Sequence, residues 1–129
     1  MKTKGKSSFI FVLFGATGDL ALKKIFPALA ALSKKGALGT DPRIIAVSRR
    51  DWNDADFRAF LSKEGDPSDA SFLESVSYSK IDVEAGTGYD SLAGRVNALQ
   101  GPKKTRDVVC YTSLAPMFHG KAAEGLVNA

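Results

Sequence analysis

Two glycines and an alanine, each three residues apart, follow directly on the first apolar run of the sequence. The run occupies residues 9–14, and the spaced residues are Gly15, Gly18 and Ala21. A glycine turn between a buried strand and a helix points unpaired N–H groups and the positive end of the helix dipole at a bound anion. Gly15 would form the turn, Gly18 would admit a pyrophosphate, and Ala21 would allow close packing. The spacing therefore predicts a dinucleotide phosphate site, with a tight turn that binds nothing as the alternative.

A second polar group follows the next apolar run, at the place where a dinucleotide-binding fold selects its cofactor. The apolar run at 43–47 is followed directly by Ser48, Arg49 and Arg50. NAD-type folds normally have a carboxylate there, which binds the ribose 2′-hydroxyl. A hydroxyl and two guanidinium groups suit a 2′-phosphate better, because arginine binds phosphate with a bidentate fork. These residues favour NADP over NAD, and the alternative is a pair of solvated arginines on a surface loop.

Strands and helices alternate along the chain in a pattern that would position both groups. Apolar runs predict strands at about 8–14, 43–47, 76–83 and 107–111, and periodic segments predict helices at about 19–35, 53–64, 70–74, 89–99 and from 116 onward. Such alternation is typical of an α/β fold with a parallel sheet. We expect a Rossmann-like, doubly wound sheet of order 3-2-1-4 with helices on both faces and the polar third strand outermost. Pro27 lies within the first helix, where it must either kink the helix or begin a new segment.

The composition limits the class of protein. The chain has 129 residues, 44% hydrophobic and 25% charged, with a net charge of +4, which is typical of one soluble globular domain. Residues 1–7 are expected to form a mobile basic tail, and we expect neither a signal peptide nor membrane binding. The basic residues are scattered, so nucleic-acid binding is not expected. The one cysteine, Cys110, lies in an apolar strand and is expected to be an inert core thiol in a cytoplasmic protein.

Four segments together resemble the glucose-6-phosphate dehydrogenase family. They read FGATGDLA at 14–21, KIFPAL at 24–29, VSRRDW at 47–52 and YTSLAPMFHG at 111–120. The resemblance covers nearly the whole chain in order and spacing, but only about the first quarter of the family's length. Proline stands in the family at the position of Pro27. The resemblance thus implies a nucleotide-binding domain that is truncated and lacks the family's second, catalytic domain.

The resemblance also implies roles for individual residues. The phosphate loop of bound NADP would be formed by Gly15, Ala16, Thr17, Gly18, Asp19 and Leu20. Arg49 would bind the 2′-phosphate beside Ser48 and Arg50, and Lys24 would contact the substrate. The nicotinamide half would rest against Leu114, Ala115 and Pro116.

Two family motifs are missing from the 129 residues, which limits the activity that we expect. They are the arginine-isoleucine-aspartate-histidine motif, which carries the general base, and a glutamate-lysine-proline motif. The only histidine, His119, is interpreted as a helix-start residue, so no catalytic residue is assigned in this chain.

The expected function is the NADP-binding portion of an enzyme that oxidises glucose 6-phosphate to its lactone, in the pentose phosphate pathway. Glucose 6-phosphate would bind only with the second domain supplied. The alternative is a stand-alone nucleotide-binding module that serves regulation or assembly. A short-chain reductase is disfavoured, because no tyrosine is followed four residues later by lysine. The fourth strand would lie at an open sheet edge, which predicts self-association there.

Overall fold

A parallel four-stranded sheet forms the centre of the computed structural model, which describes residues 8–36, 42–64, 70–82, 85–100 and 106–112. The strand order is β3-β2-β1-β4, and all three pairings are parallel. The strands are β1 (Ser8–Phe14), β2 (Arg43–Ser48), β3 (Val76–Lys80) and β4 (Arg106–Thr112). The helices are α1 (Phe26–Lys34), α2 (Asp54–Glu64), α3 (Ala70–Glu74) and α4 (Tyr89–Gln100). The predicted fold class and strand order are confirmed.

Two hydrophobic cores cover the two faces of this sheet. Alternation along β1 sends Leu13 to one face and Val12 and Phe14 to the other, and all three are at most 1% exposed. Leu13 belongs to the core formed with α1, α2 and α3, which includes Phe26, Leu29, Phe57, Leu61 and Phe72. Val12 and Phe14 belong to the smaller core formed with α4, which includes Ile45, Val47, Tyr89 and Leu92. Helices on both faces make the sheet doubly wound, as predicted.

The first helix is interrupted at the place where the sequence indicated a conflict. Residues Ala21–Ile25 form a π-helical segment, and α1 begins only at Phe26. The N–H of Phe26 donates to the carbonyl of Ala21, five residues back, and Pro27 lies in the first turn of α1. Proline is favoured in the first turn of a helical segment, because its fixed φ is already helical. The second of the two predicted outcomes for Pro27, a new helical segment, is the observed one.

The outer edge of β3 is covered by polar side chains of α2. The backbone N–H of Tyr78 donates to Asp54 Oδ1 at 2.7 Å, and Arg58 Nε donates to the carbonyl of Val76 at 2.8 Å. Asp54 also forms an ion pair with Arg95 of α4, at 3.4 Å. The strand ends at Lys80 because Asp82 instead forms an isolated antiparallel bridge with Thr87, so the predicted end at residue 83 was too late.

Side chains of β4, at the opposite edge of the sheet, are exposed. Val108 and Val109 are each 40% exposed and Tyr111 is 43% exposed. Cys110 is also exposed, so the expectation that it is a core thiol was wrong. Within the described ranges, β4 pairs only with β1, and an edge strand can leave even apolar side chains open to solvent.

Several predicted features lie outside the described residues. They are the basic tail at 1–7, the final helix near residue 116, and the residues Leu114, Ala115, Pro116 and His119. No helix among the described residues is long and apolar enough to cross a membrane.

Candidate functional site

The glycine turn (residues 15–20) and the arginine loop (residues 48–50) meet at the carboxyl ends of β1 and β2. Phe14, the last residue of β1, pairs with Val47 of β2. The backbone N–H groups of Gly15 and Ala16 both donate to the carbonyl of Val47, at 3.0 and 3.1 Å. These two bonds hold the loop that follows β1 directly beside the loop that follows β2. Two groups of residues that lie about 30 positions apart in the sequence are thereby brought together.

The glycine turn has the backbone of a phosphate cradle. Gly15 has φ of 75°, a left-handed conformation that glycine adopts without strain. The N–H of Gly18 donates to the carbonyl of Gly15 at 3.1 Å, and the carbonyl of Gly18 accepts from the N–H of Leu22 at 3.0 Å, which starts the helix. Ala21 is fully buried, as its predicted packing role requires.

Three backbone N–H groups of this turn remain available to an anion. Among the described residues, those of Thr17, Asp19 and Leu20 have no backbone acceptor. Asp19 is exposed, and Leu20 is 50% exposed although it is a large apolar residue. First-turn N–H groups at a helix start, next to a left-handed glycine, are the donors with which nucleotide-binding folds hold phosphate.

Gly18 is not required to be glycine by the fold itself. Its φ lies outside the left-handed region, and a Cβ added to it would approach only the carbonyl oxygen of Gly15, at 3.4 Å, an ordinary contact. The residue is exposed. The missing side chain therefore leaves open the outer surface of the turn, which is the surface that a pyrophosphate would approach.

A closed ring of hydrogen bonds fixes the arginine loop. The hydroxyl of Tyr78 donates to the carbonyl of Arg50 at 2.7 Å, and it lies within hydrogen-bond distance of the Ser48 hydroxyl. The N–H of Arg50 donates to Ser48 Oγ at 3.3 Å. Because the carbonyl can only accept, the Tyr78 proton is directed at Arg50 and the Ser48 proton at Tyr78. Burial raises the pKa of Tyr78 above its ordinary value, so its hydroxyl keeps that proton at neutral pH.

The two arginines differ in what their side chains contact. The Arg50 guanidinium lies 5.0 Å from the centre of the Trp52 ring and 5.9 Å from that of Phe60, which are cation–π contacts. Arg49 is exposed, and no ion pair, side-chain hydrogen bond or ring contact engages it among the described residues. Arg49 is therefore the arginine whose guanidinium is open to a ligand.

The predicted substrate lysine lies farther along the same helical region. Lys24 is exposed and belongs to the π-helical segment that follows the glycine turn. Its neighbour Lys23 is exposed as well.

Tyr78 and Trp52 are two contributors to the site that the sequence analysis did not single out. Tyr78 pairs with Ala46 in the parallel register of β3 and β2, and Trp52 packs 6.0 Å from the Tyr78 ring. The sequence signal for Tyr78 was a tyrosine within a strand that alternation predicted. Its hydrogen-bond partners could not be predicted, because they lie 28 and 30 residues away in the sequence.

Comparison with known proteins shows which family this chain belongs to. The family model described as "Glucose-6-phosphate dehydrogenase, NAD binding domain" matches residues 12–129, nearly the whole chain. The chain belongs to this family. The family resemblance predicted from the sequence motifs is confirmed.

Individual relatives agree with the family match. The glucose-6-phosphate 1-dehydrogenase of Bacillus subtilis is 30% identical over 98% of this chain, and that of Zymomonas mobilis is 32% identical over 92%. A solved glucose-6-phosphate dehydrogenase in complex with its substrate glucose-6-phosphate superposes with a TM-score of 0.81 at 26% identity, over 98% of this chain. The corresponding crystal structure from Mycobacterium avium gives a TM-score of 0.76 at 26% identity, over 96% of this chain.

The match is to one part of these relatives. The chain spans 27% of the length of the Bacillus subtilis relative and 25% of that of the Zymomonas mobilis relative. It spans 28% and 27% of the two solved chains.

Proposed function

We propose that this chain is the NADP-binding portion of a glucose-6-phosphate 1-dehydrogenase. The observation that carries the proposal is the junction of the two loops, where the N–H groups of Gly15 and Ala16 donate to the carbonyl of Val47. The junction joins the loop that carries the free donors of Thr17, Asp19 and Leu20 to the loop that carries the exposed Arg49, and we expect both to contact one ligand. A pyrophosphate on the first loop and a ribose phosphate on the second are the two anions that one NADP molecule presents.

Arg49 would decide between the two nicotinamide cofactors. Its guanidinium would bind the 2′-phosphate through charge-assisted hydrogen bonds, while Arg50 stays stacked on Trp52. NAD has no phosphate at that position, so the same contact would contribute little to NAD binding. The loop has no carboxylate directly after β2, since Arg49 and Arg50 take those positions, and so lacks the usual acceptor for a 2′-hydroxyl.

The reaction of the complete enzyme would be the oxidation of glucose 6-phosphate to its lactone. The bound nicotinamide would supply the hydride-accepting chemistry. This chain would bind and orient the cofactor through residues 15–20 and 48–50, and Lys24 would contact the substrate. Leu114, Ala115 and Pro116 would form the wall beside the nicotinamide. Neither of the family motifs that carry the base and its partners occurs in these 129 residues, so we expect negligible turnover from this chain without a second domain.

Residues 1–129 would form one nucleotide-binding domain with a basic tail at 1–7. The single cysteine of these 129 residues fits a reducing compartment and supports a cytoplasmic location. Copies of the chain would associate through the exposed edge of β4.

Calorimetric titration with NADP and with NAD tests the proposal. We expect NADP to bind more tightly than NAD by about 1–3 kcal/mol, the value of one charge-assisted phosphate contact. The Arg49→Ala variant should lose this difference while its NAD affinity stays the same. Arg50→Ala is the matched control, because it removes an adjacent guanidinium that the Trp52 ring already engages, and it should keep the preference for NADP.

Two results would contradict the proposal in different ways. Binding of neither nucleotide to the folded wild-type chain would reject the cofactor site as a whole. Loss of the preference in Arg50→Ala, with Arg49→Ala unchanged, would keep the site but transfer the phosphate contact to Arg50.

A further inference from the structure

A buried tyrosine outside both loops is hydrogen-bonded to the arginine loop. Tyr78 is 2% exposed, its ring stacks on Phe57 with centroids 5.4 Å apart, and its backbone N–H is held by Asp54. The ring and the backbone are thus both fixed by the core and by α2. Its hydroxyl is therefore held in a fixed position, from which it can bond to the arginine loop.

Tyr78 forms hydrogen bonds with the residues on both sides of Arg49. Ser48, the residue before it, donates its hydroxyl proton to Tyr78, and the carbonyl of Arg50, the residue after it, accepts from Tyr78. The bond from the Arg50 N–H to Ser48 Oγ closes the turn across Arg49. Arg49 itself takes no part in this ring, so the turn is fixed while its guanidinium is left exposed.

We propose that Tyr78 is a positioning residue for NADP selectivity, which holds the Ser48–Arg49–Arg50 turn so that Arg49 is aimed at the 2′-phosphate. This inference rests on the proposed function. It also gives Ser48 a different part from the one its sequence suggests. Its single proton is directed at Tyr78, so Ser48 acts through the turn and does not donate to the phosphate.

A pre-formed turn matters because it removes an entropic cost of binding. An arginine on an unfixed loop would lose backbone freedom when it bound the phosphate, and that loss would subtract from the affinity. With the turn fixed by Tyr78, only the Arg49 side chain has to be ordered. NAD, which lacks the 2′-phosphate, would gain nothing from the fixed turn.

The test compares Tyr78→Phe with Tyr89→Phe in the full 129-residue chain. Each change removes one buried tyrosine hydroxyl and keeps the ring. Tyr89, 7% exposed, packs on the opposite face of the sheet, and its hydroxyl has no partner among the described residues. The probes are NADP and NAD, with 2′,5′-ADP as the minimal ligand that carries the 2′-phosphate.

In Tyr78→Phe we expect the dissociation constants of NADP and 2′,5′-ADP to rise about threefold to tenfold. The loop loses order that contributes about as much binding free energy as one hydrogen bond. The NAD constant should not change. Tyr89→Phe should change none of the three. Ser48→Ala breaks the same ring from the loop side and should match Tyr78→Phe, and the double variant should lose no more than the larger single loss.

Four other outcomes distinguish an error about Tyr78 from an error about the proposed function. An unchanged ratio of NAD to NADP constants in both Tyr78→Phe and Ser48→Ala would overturn the role of Tyr78, whether neither constant changes or both rise equally through general damage. A loss in Ser48→Ala alone would show that Ser48 donates directly to the phosphate. A wild-type chain with no preference for NADP would instead overturn the proposed function itself. If Tyr78→Phe does not fold, an unchanged ratio in Ser48→Ala still overturns the role of Tyr78.

Discussion

Gly15 and Gly18 perform separate tasks although they belong to one motif. Gly15 is needed by the backbone, because its φ of 75° strains any residue with a Cβ. Gly18 has no such need, and the chain itself would tolerate a methyl group there. This difference makes Gly18 the position at which binding can be separated from folding.

The Gly18→Ala variant should therefore fold normally and bind nucleotide poorly. We expect its free energy of unfolding to stay within about 1 kcal/mol of wild type. Its affinity for NADP should fall at least tenfold, because the new methyl group would stand where the pyrophosphate approaches the backbone. Chemical denaturation and calorimetry measure the two quantities.

Gly94→Ala is the matched control for this change. Gly94 is exposed on α4, and a Cβ added there meets nothing within 4 Å. Alanine in the middle of a helix should raise stability by about 0.5–1 kcal/mol and leave NADP affinity unchanged. An NADP affinity of Gly18→Ala equal to wild type would mean that no ligand approaches the turn at Gly18.

The two edge strands of the sheet differ in how well their outer edges are covered. The β3 edge is occupied by Asp54 and Arg58, which bond to its outward N–H and carbonyl groups. Such polar cover prevents another strand from pairing there. The β4 edge presents Val108, Val109 and Tyr111, all at least 40% exposed. Any pairing with a second chain would therefore occur at β4.

We expect the chain to self-associate with increasing concentration, and Val109→Lys to reduce the association by placing a charge on the apolar edge. Sedimentation velocity over a range of concentrations measures it. Leu32→Lys is the control, because Leu32 is 41% exposed but lies on α1, away from the edge. A wild-type chain that stays monomeric at all concentrations would refute the docking role of β4, and equal effects of the two lysines would indicate nonspecific association.

The sequence predicted those features that depend on local pattern. The apolar runs that stop before Gly15 and Ser48 were sufficient to predict two neighbouring parallel strands. The polar character of residues 76–80 correctly indicated an edge strand. The roles of Gly15 and Ala21 also follow from neighbours in the chain, since a left-handed turn and a close helix contact are local requirements.

Features that depend on distant contacts were not predictable in this way. The role of Tyr78 requires β3 to lie beside β2 in a particular register, with its ring on the side of α2. The engagement of Arg50 by Trp52 depends on how α2 packs. Cys110 was misjudged because an apolar strand sequence does not reveal whether both of its faces will be covered.

For the whole molecule, the central claim is that one dinucleotide binds across the carboxyl edge, in contact with both loops. The most direct measurement is a titration of the isotope-labelled chain with NADP, followed through its backbone amide resonances by NMR. We expect the shifts to concentrate at residues 15–20 and 48–50, with the second group shifting much less when NAD replaces NADP. Shifts concentrated on β4 or α4, or none at saturating NADP, would contradict the account.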